Sequence, residues 1–318
     1  MKKEISGIDF SKIESDLLFR KIPFAKDFDL SKLCSFKIGG IAPLLVEPEN
    51  EETLISFLSY SKNFGIPYKV LGGGSNVLIS DYPNDFITLR LGGVFKEFHE
   101  KSEGRFEIGS AINTTPTFRK ISNLGYEGVE FLSTIPGWVG GAVIQNAGCY
   151  GGEIFDFIQS VDVIQNNNYT SLPVEKIKYG YRSTEFLKNK NTIITRIVMN
   201  LKQGDSKEIE FKLKEFREKR NSSQPENKKS AGSVFKNPDS IKEKDKKWKA
   251  WELIDLVGMR GAVSGDAQVS EKHCNFIVNN GNALSRDVKI LIEKIEDLVF
   301  KKFNIQLEKE IEFFGSMD

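Results

Sequence analysis

The ten residues Leu71-Gly72-Gly73-Gly74-Ser75-Asn76-Val77-Leu78-Ile79-Ser80 place three consecutive glycines between two apolar runs. Glycine can adopt positive φ angles and has no Cβ, so the backbone N–H groups of this glycine loop can converge on an anion such as a diphosphate. Ser75 and Asn76 add short polar donors. The pattern is neither Gly-x-Gly-x-x-Gly nor a Walker loop, and a strand is predicted to follow it, which disfavours Rossmann and P-loop folds. A glycine triplet is also typical of an ordinary turn, so both interpretations stay open here.

The segments around the glycine loop have clear patterns. Ala42 to Pro48 is an apolar run of strand length that ends at a proline. Asn50, Glu51 and Glu52 open an amphipathic helix that Gly65 ends, and a short strand from Tyr68 then leads into the loop. Further strands are predicted at 86–91, 105–109, 158–164, 192–201, 275–278 and 305–314, and further helices at 115–124, 207–220, 250–257 and 284–303.

Composition excludes several classes of protein. With 318 residues the chain can form two domains. Its 45 Lys and Arg residues nearly cancel its 44 Asp and Glu residues, so no net field favours nucleic acid or an anionic membrane. Two histidines and three scattered cysteines argue against a metal site and for reduced thiols in the cytoplasm. The first residues interleave charges and form no apolar core of signal-peptide length, and no later run approaches membrane-spanning length, so a soluble cytoplasmic protein is expected.

A second glycine-rich segment runs from Ile135 to Gly152 and carries almost no charge. Such a composition suits close approach of the backbone to a flat, partly apolar ligand. A tightly packed internal loop is the alternative. The polar stretch 221–230 indicates a surface crossover, and the main domain change is predicted near residue 205. We therefore expect an N-terminal arm (1–34), a first domain (35–204) and a second domain (205–318); the lysine-rich segment 241–249 is interpreted as a solvated excursion.

Seven motifs in a fixed order resemble those of the UDP-N-acetylenolpyruvoylglucosamine reductase family, also called UDP-N-acetylmuramate dehydrogenases. They span most of the chain and are Ser35-Phe36-Lys37-Ile38-Gly39-Gly40, Gly72 to Asn76, Ile135 to Gly151, Tyr181-Arg182-Ser183, Gly232 to Pro238, Ala267-Gln268-Val269-Ser270-Glu271-Lys272-His273 and Leu307-Glu308-Lys309-Glu310-Ile311. The short span between Arg182 and Ser233 indicates the shorter subtype, which lacks a tyrosine-bearing lid insertion.

The resemblance implies an α+β fold, with an FAD-binding domain of the p-cresol methylhydroxylase/vanillyl-alcohol oxidase type and a C-terminal α+β substrate domain. It implies noncovalent FAD, with NADPH as hydride donor, and reduction of an enolpyruvyl UDP-sugar in peptidoglycan synthesis, a process that supports cell shape and division. A cytoplasmic monomer that acts on a small molecule is expected. The cofactor-binding residues implied are Gly72, Gly73, Gly74, Ser75, Asn76, Ile135, Pro136, Gly137, Gly140, Gly141, Gln145, Asn146 and Gly148.

The resemblance also assigns the chemistry. Arg182 and Glu310 are expected to polarise the substrate carboxyl group, and Ser233 to donate a proton to the carbanion. Tyr181, Asn237 and Gln268 are expected to bind the substrate. From the residues alone, Arg182 could be a surface ion-pair residue, although a planar bidentate donor is what a developing dianion needs, and Ser233 could be a turn hydroxyl. Glu310 alternates with two other glutamates and could belong to an exposed charged face.

This chain departs from the family pattern at several positions. Trp138 stands where a small hydroxyl residue is common, Cys149 and Cys274 stand where alanine is usual, and Lys309 replaces a common proline. A bulky indole beside the flavin could narrow the nicotinamide site and alter cofactor preference. Two alternative functions remain: another oxidoreductase of the same flavin fold acting on an alcohol or sugar, and a nucleotide-binding module without catalysis.

Overall fold

The structure is a computed structural model that describes residues 9–189, 191–225, 227–238 and 248–317. Positions 241–247 of the lysine-rich segment lie outside the described residues. The α-helices of the described chain are α1 (Phe10–Phe19), α2 (Glu51–Phe64), α3 (Thr114–Asn123), α4 (Val139–Ile144), α5 (Glu185–Lys188), α6 (Ser206–Ser223), α7 (Ala250–Leu256) and α8 (Ser285–Phe303). The strands are β1 (Phe24–Asp29), β2 (Ile41–Val46), β3 (Tyr68–Val70), β4 (Val77–Ile79), β5 (Ile87–Leu89), β6 (Phe98–Ser102), β7 (Arg105–Gly109), β8 (Gly148–Cys149), β9 (Gly152–Glu153), β10 (Ile158–Gln165), β11 (Asn168–Pro173), β12 (Tyr179–Gly180), β13 (Ser183–Thr184), β14 (Thr192–Asn200), β15 (Val263–Ser264), β16 (Ala267–Val269), β17 (Ile277–Asn279) and β18 (Glu312–Phe314).

Helix α2 shows how local signals set the elements. The Asn50 side chain accepts a hydrogen bond from the Thr53 N–H, and the Thr53 hydroxyl accepts one from the Asn50 N–H, which closes a capping box. Gly65 ends the helix in the left-handed conformation, with φ of 63°. The helix predicted here is confirmed. The other predicted helices, and all predicted strands except the last, are found within three residues of their predicted bounds.

The chain divides into two compact units, and each unit is built from three separate segments of the sequence. Unit 1 contains residues 1–27, 43–73 and 85–220, and unit 2 contains 28–42, 74–84 and 221–318. This differs from the predicted division into 1–34, 35–204 and 205–318. One reason is that β4, directly after the glycine loop, pairs in parallel with β18 near the C-terminus. The glycine loop therefore changes unit between Gly73 and Gly74.

Unit 1 is built on two sheets. The first has the strand order β1, β2, β5, β3, and β5 runs parallel to both β2 and β3. The second has the order β11, β10, β14, β7, β6 and is antiparallel throughout. Helix α1 belongs to the core of this unit, because Ile13 and Leu17 are buried with residues of α2 and β2. Residues 10–19 are thus part of the body of unit 1.

Unit 2 combines a small sheet with two helices. Strands β15, β16 and β17 form an antiparallel sheet, and β4 and β18 form a parallel pair. Helix α8 buries Val288, Leu291, Ile292 and Ile295 on one face and ends at Asn304, which has φ of 53°. In the portion of the chain that the structure describes, no helix is both long enough and apolar enough to cross a membrane.

The predicted closing strand at 305–314 is too long. Only Glu312–Phe314 form a strand, because β4 offers just three residues for pairing. The preceding segment is held by an isolated bridge between Phe235 and Lys309. Glu310 therefore lies two residues before the strand that was predicted to carry it.

Candidate active site

In unit 1, the glycine loop and the second glycine segment meet through their backbones. A Cβ atom on Gly73 would lie 2.8 Å from both the Gly137 Cα and the Trp138 backbone nitrogen. Real Cβ atoms do not approach backbone so closely, so this contact requires glycine at position 73. Two stretches that were predicted to bind the same cofactor are thus brought together.

In unit 2, the loop continues against the first family motif. Gly74 has φ of 68°, and a Cβ there would lie 2.0 Å from the Leu33 carbonyl oxygen. The Gly74 carbonyl accepts a hydrogen bond from the Ser35 N–H over 2.9 Å. Both its φ angle and its packing therefore demand glycine.

Gly72 and Gly141 differ from these two positions. Neither has φ in the left-handed region, and an added Cβ would meet no described atom within 4 Å. Nothing in the described protein therefore requires glycine at these positions. Such backbone can be approached closely by a large ligand, which is what a dinucleotide cofactor needs, so the residues present fit FAD.

The residues predicted at the flavin end are tightly fixed. The Gly137 carbonyl accepts hydrogen bonds from the Thr114 N–H and hydroxyl, at 2.9 and 3.1 Å, and the Ile135 carbonyl accepts one from the Thr115 hydroxyl at 2.9 Å. The Gly140 N–H donates to the Ser110 carbonyl at 2.8 Å. Gln145 caps the end of α4, and Pro136 lies beside Gly137 on the same turn.

Asn146 is an internal anchor of this segment. It is fully buried, with φ of 43°. Its Nδ2 atom donates to Glu153 Oε2 at 2.7 Å and to the Gly180 carbonyl at 3.0 Å, and its Oδ1 accepts from the Phe155 N–H at 3.4 Å. The amide thereby ties the second glycine segment to the turn that carries Arg182.

Arg182 is held on that turn by main-chain acceptors. It has φ of 48°, and its guanidinium donates to the Asn146 carbonyl at 3.3 Å and to the Gly148 carbonyl. Its Cζ lies 5.0 Å from the centre of the Tyr181 ring. A guanidinium has five N–H donors, so it can hold two carbonyls and a carboxylate together. Sequence reasoning did not foresee that Asn146 and Gly148 orient Arg182.

In unit 2, the segments of Ser233 and Glu310 are adjacent. The Val234 carbonyl accepts a hydrogen bond from the Glu310 N–H at 2.8 Å. On the other side, the Val234 N–H donates to the Asn275 carbonyl at 2.8 Å, and the Asn275 side chain bonds both the N–H and the carbonyl of Phe235. Ser233 itself bridges Phe276. The predicted proton donor and the predicted carboxyl group thus lie on neighbouring, fixed backbone.

The two predicted substrate-binding residues of unit 2 are also anchored. The Asn237 Oδ1 accepts from the Ala250 N–H at 3.1 Å, at the start of α7. On β16, the Gln268 side chain donates to the Gly261 carbonyl at 3.3 Å and accepts from Asn280 Nδ2 at 2.9 Å. Their contact with substrate stays a prediction.

The thiols are unsuited to nucleophilic chemistry at neutral pH. Burial raises the pKa of Cys34 and Cys149, and it raises the pKa of Cys274 to about 11. A thiol in this state is protonated and inert. No group of metal-binding side chains is found among the residues described.

Comparison with protein families assigns a class to this fold and site. Residues 42–168 match the family described as "FAD binding domain", and residues 224–314 match "UDP-N-acetylenolpyruvoylglucosamine reductase, C-terminal domain". The protein is therefore an FAD-dependent oxidoreductase, in which an FAD-binding domain of the p-cresol methylhydroxylase/vanillyl-alcohol oxidase type is joined to an α+β substrate domain.

Individual relatives narrow this class to one family. The chain is 57% identical to the UDP-N-acetylenolpyruvoylglucosamine reductase of Leptospira interrogans, over 93% of both chains, and 36% identical to that of Carboxydothermus hydrogenoformans, over 97% of this chain and all of the relative. The crystal structure of the reductase from Thermus caldophilus superimposes with a TM-score of 0.76 at 31% identity, covering 92% of this chain and 98% of that one. The chain belongs to the UDP-N-acetylenolpyruvoylglucosamine reductase family. FAD is its cofactor and NADPH its reductant, and the predicted resemblance is confirmed.

Proposed function

We propose that this chain catalyses the NADPH-dependent, FAD-mediated reduction of UDP-N-acetylglucosamine enolpyruvate to UDP-N-acetylmuramate, a step of peptidoglycan precursor synthesis. The observation that carries this proposal is the match to reductases of this name along more than nine tenths of the chain. FAD held at this site would supply hydride chemistry, which carries two electrons from NADPH to the vinyl carbon of the substrate.

Arg182 grips the substrate carboxylate. Hydride addition to the vinyl carbon leaves negative charge on the adjacent carbon, which is conjugated with the carboxylate. A planar guanidinium can donate two parallel hydrogen bonds to that carboxylate. These hydrogen bonds strengthen as negative charge develops on the substrate. The hydrogen bonds from Arg182 to the carbonyls of Asn146 and Gly148 support this role, because they fix the guanidinium before substrate binds.

Glu310 completes the polarisation of the carboxyl group. A protonated carboxyl group can donate a hydrogen bond to the substrate carboxylate, which is the contact proposed for Glu310. Its backbone is held on both sides, by the Val234 carbonyl and by the Asn76 side chain. These two bonds fix the backbone from which the Glu310 side chain projects.

Ser233 donates the proton that completes the reaction. A serine hydroxyl is a weak acid, so only a strongly basic carbanion takes its proton. The bridge to Phe276 and the bonds around Val234 fix the backbone on both sides of Ser233. A hydroxyl on backbone fixed in this way is proposed to protonate one face of the substrate carbon.

The remaining contacts are proposed as follows. The glycine loop, Gly72 to Asn76, holds the diphosphate of FAD, and the predicted residues between Ile135 and Gly148 line its flavin end. Tyr181, Asn237 and Gln268 bind the nucleotide sugar.

We further propose a cytoplasmic enzyme, which the three unpaired cysteines support, since reduced thiols are usual in that compartment. We also propose that the enzyme is a monomer. Sedimentation of the holoenzyme at micromolar concentration tests this second statement.

Two separate half-reactions test the function. The purified protein should be yellow and should release FAD on denaturation. Under anaerobic conditions NADPH should bleach the flavin, and the enolpyruvyl sugar nucleotide should restore its colour and be recovered with two additional hydrogen atoms. Reoxidation by oxygen or by a sugar oxidation product, with none by the enolpyruvyl compound, would instead support another oxidoreductase of this fold.

A further inference from the structure

Arg90 is a cation enclosed in unit 1 at the end of β5. Its N–H donates to the Val46 carbonyl at 2.9 Å, and only 13% of its side chain is exposed. Its guanidinium carbon lies 4.3 Å from the centre of the Trp138 ring, a distance typical of stacking between arginine and indole. The side chain is thus held against the ring.

The guanidinium has no adequate anionic partner in the described part of the chain. The nearest carboxylate, Glu47, is 39% exposed and lies 4.0 Å from Nη1, beyond hydrogen-bond distance. The Nε atom is buried and has no hydrogen-bond partner among the described residues. Burial lowers the pKa of Arg90, and the Glu47 charge opposes this shift only in part. A buried N–H donor without a partner on an enclosed cation is costly, so this position indicates an anion from outside the chain.

Two links connect Arg90 to the glycine loop. The Leu71 N–H donates to the carbonyl of Leu89, the residue before Arg90, at 2.9 Å. The ring that Arg90 contacts belongs to Trp138. The backbone nitrogen of Trp138 lies 2.8 Å from the position that a Cβ on Gly73 would occupy. The backbone next to Arg90 and the backbone of its ring partner Trp138 therefore both lie beside the stretch Leu71 to Gly73.

We infer that Arg90 binds a phosphate of the FAD diphosphate at Gly72 and Gly73, and that Trp138 is the positioning residue that holds its guanidinium. This inference rests on the proposed function only in taking FAD as the ligand. Arginine suits the task because its planar fork can bind a phosphate through two hydrogen bonds. The interaction also gives Trp138, where the family commonly has a small hydroxyl residue, a role in cofactor binding.

Lys96 does not replace Arg90 in this role. Its Nζ lies 6.0 Å from the centre of the Trp138 ring, at the limit of a cation–π contact, and the side chain is exposed. A solvated ammonium loses little when it has no anion, whereas the enclosed Arg90 loses much. The energetic argument for a ligand therefore applies to Arg90.

Arg90→Met tests the inference on the apoprotein and the holoenzyme. Methionine keeps the length and apolar character of the stem but removes the charge. We expect the apoprotein to melt at the same temperature or higher, since a buried unpaired charge has been removed. We expect the Kd for FAD, measured by quenching of flavin fluorescence, to rise by about 10- to 100-fold, the usual effect of losing a hydrogen bond to a charged group.

One control variant, one variant of the positioning residue and one substitute variant complete the test. Arg105→Met removes one charge from a half-buried arginine whose guanidinium donates to Gln159, and it should leave FAD affinity unchanged. Trp138→Leu should weaken FAD binding by less than Arg90→Met, because the guanidinium stays but is less well oriented. If Arg90→Met does not fold, Arg90→Lys replaces it, and a single ammonium should still raise the Kd several-fold.

Two results would overturn the inference that Arg90 binds FAD. A lower melting temperature of the apoprotein with unchanged FAD affinity would make Arg90 structural and overturn the inference. Loss of NADPH affinity with unchanged FAD affinity would assign the anion to the nicotinamide nucleotide and also overturn it. Failure of the protein to reduce the enolpyruvyl sugar would contradict the proposed function but leave the effect on FAD binding in place.

Discussion

The Asn76 side chain donates a hydrogen bond to the backbone carbonyl of Glu310, with 2.9 Å between Nδ2 and the oxygen. The Glu312 N–H in turn donates to the Asn76 carbonyl at 3.0 Å, and β4 and β18 continue the pairing. The end of the glycine loop is therefore joined to the backbone of the predicted catalytic carboxyl residue. The amide of Asn76, predicted as a cofactor donor, also positions Glu310.

Asn76→Ala should destabilise the protein and impair the enzyme. The substitution leaves a partly buried carbonyl without this donor, which typically costs about 1 to 3 kcal/mol of unfolding free energy. Urea denaturation of the apoprotein measures this change. Asn168→Ala is the matched control, because the exposed Asn168 amide bonds only the nearby Asn166 carbonyl. It should change stability by less than about 0.5 kcal/mol. Equal stability of the two variants would show that the bond to Glu310 contributes nothing.

Glycines of the two cofactor segments should separate into structural and ligand-facing positions. Gly74→Ala must place a side chain at φ of 68° against the Leu33 carbonyl, so the apoprotein should be severely destabilised. Gly65→Ala, at φ of 63° in open space, isolates the cost of the φ angle alone, about 1 kcal/mol. Gly141→Ala lies in a helix and should stabilise the apoprotein slightly.

The same Gly141→Ala variant should bind FAD at least about tenfold more weakly, because its methyl group projects into space that the cofactor needs. Thermal melting of the apoprotein and titration with FAD measure the two effects on one sample. A stable Gly141→Ala protein with unchanged FAD affinity would remove Gly141 from the cofactor site.

Local sequence signals predicted the elements of this fold, but not its long-range pairing. Asn50, Glu51, Glu52 and Gly65 act within one helix, and together with the apolar spacing between them they predict α2. The bond from Asn76 to Glu310 joins residues 234 positions apart, and no periodicity encodes it. The predicted closing strand was too long for the same reason, since its partner β4 has only three residues.

The candidate site was predicted through resemblance and not through chemistry that the residue types alone reveal. Arg182, Ser233 and Glu310 have ordinary side chains, and each had an equally plausible structural interpretation. Arg90 was missed because a single arginine after a short strand carries no signal in the sequence. Its enclosure beside Trp138 depends on how β5 and the second glycine segment pack.

Arg182→Lys should not be a conservative change. An ammonium cannot hold two main-chain carbonyls and a carboxylate in one plane, so the fork geometry is lost. Loss of an electrostatic donor of this kind typically lowers kcat by about a hundred- to a thousand-fold. Steady-state rates with saturating NADPH measure the effect, with Arg105→Lys at the surface as control. Near-normal reduction of the enolpyruvyl sugar would exclude Arg182 from the mechanism.

His273 should make stability depend on pH in the acidic range. Burial lowers its pKa below the ordinary 6.5, and the Arg260 charge also lowers it. The unfolded chain therefore binds this proton more readily than the folded one. The stability that neutral His273 contributes is complete above 6.5 and is lost as the pH falls through the lowered folded pKa.

His273→Phe keeps the ring contacts with Trp251 and Phe276 but cannot take up a proton. Its unfolding free energy should fall less than that of the parent between about pH 7.5 and about pH 5.5. The control is His99→Gln, at an exposed site. Because the chain has two histidines, proton NMR can follow both imidazoles directly. A folded-state pKa of His273 above 6.5 would reverse the expected sign of the pH dependence of stability.

Ser233→Ala should separate proton donation from hydride transfer. The backbone around Ser233 is fixed by Asn275, Phe276 and the Glu310 N–H, and none of these contacts uses the serine hydroxyl. The variant should therefore fold normally and be reduced by NADPH at nearly the parent rate. Reoxidation by the enolpyruvyl sugar nucleotide should slow by about a hundred- to ten-thousand-fold, the usual effect of losing a general acid.

Stopped-flow absorbance resolves the two half-reactions of the Ser233→Ala protein, and Ser264→Ala on β15 serves as the control in the same unit. Ser233→Cys should restore part of the rate, since a thiol is more acidic than a hydroxyl. The restoration should be incomplete, because the larger sulfur displaces the donated proton from its position relative to the substrate carbon. Equal slowing of both half-reactions would point to a disturbed flavin site. Unchanged reoxidation would assign the proton to another group and exclude Ser233 as the donor.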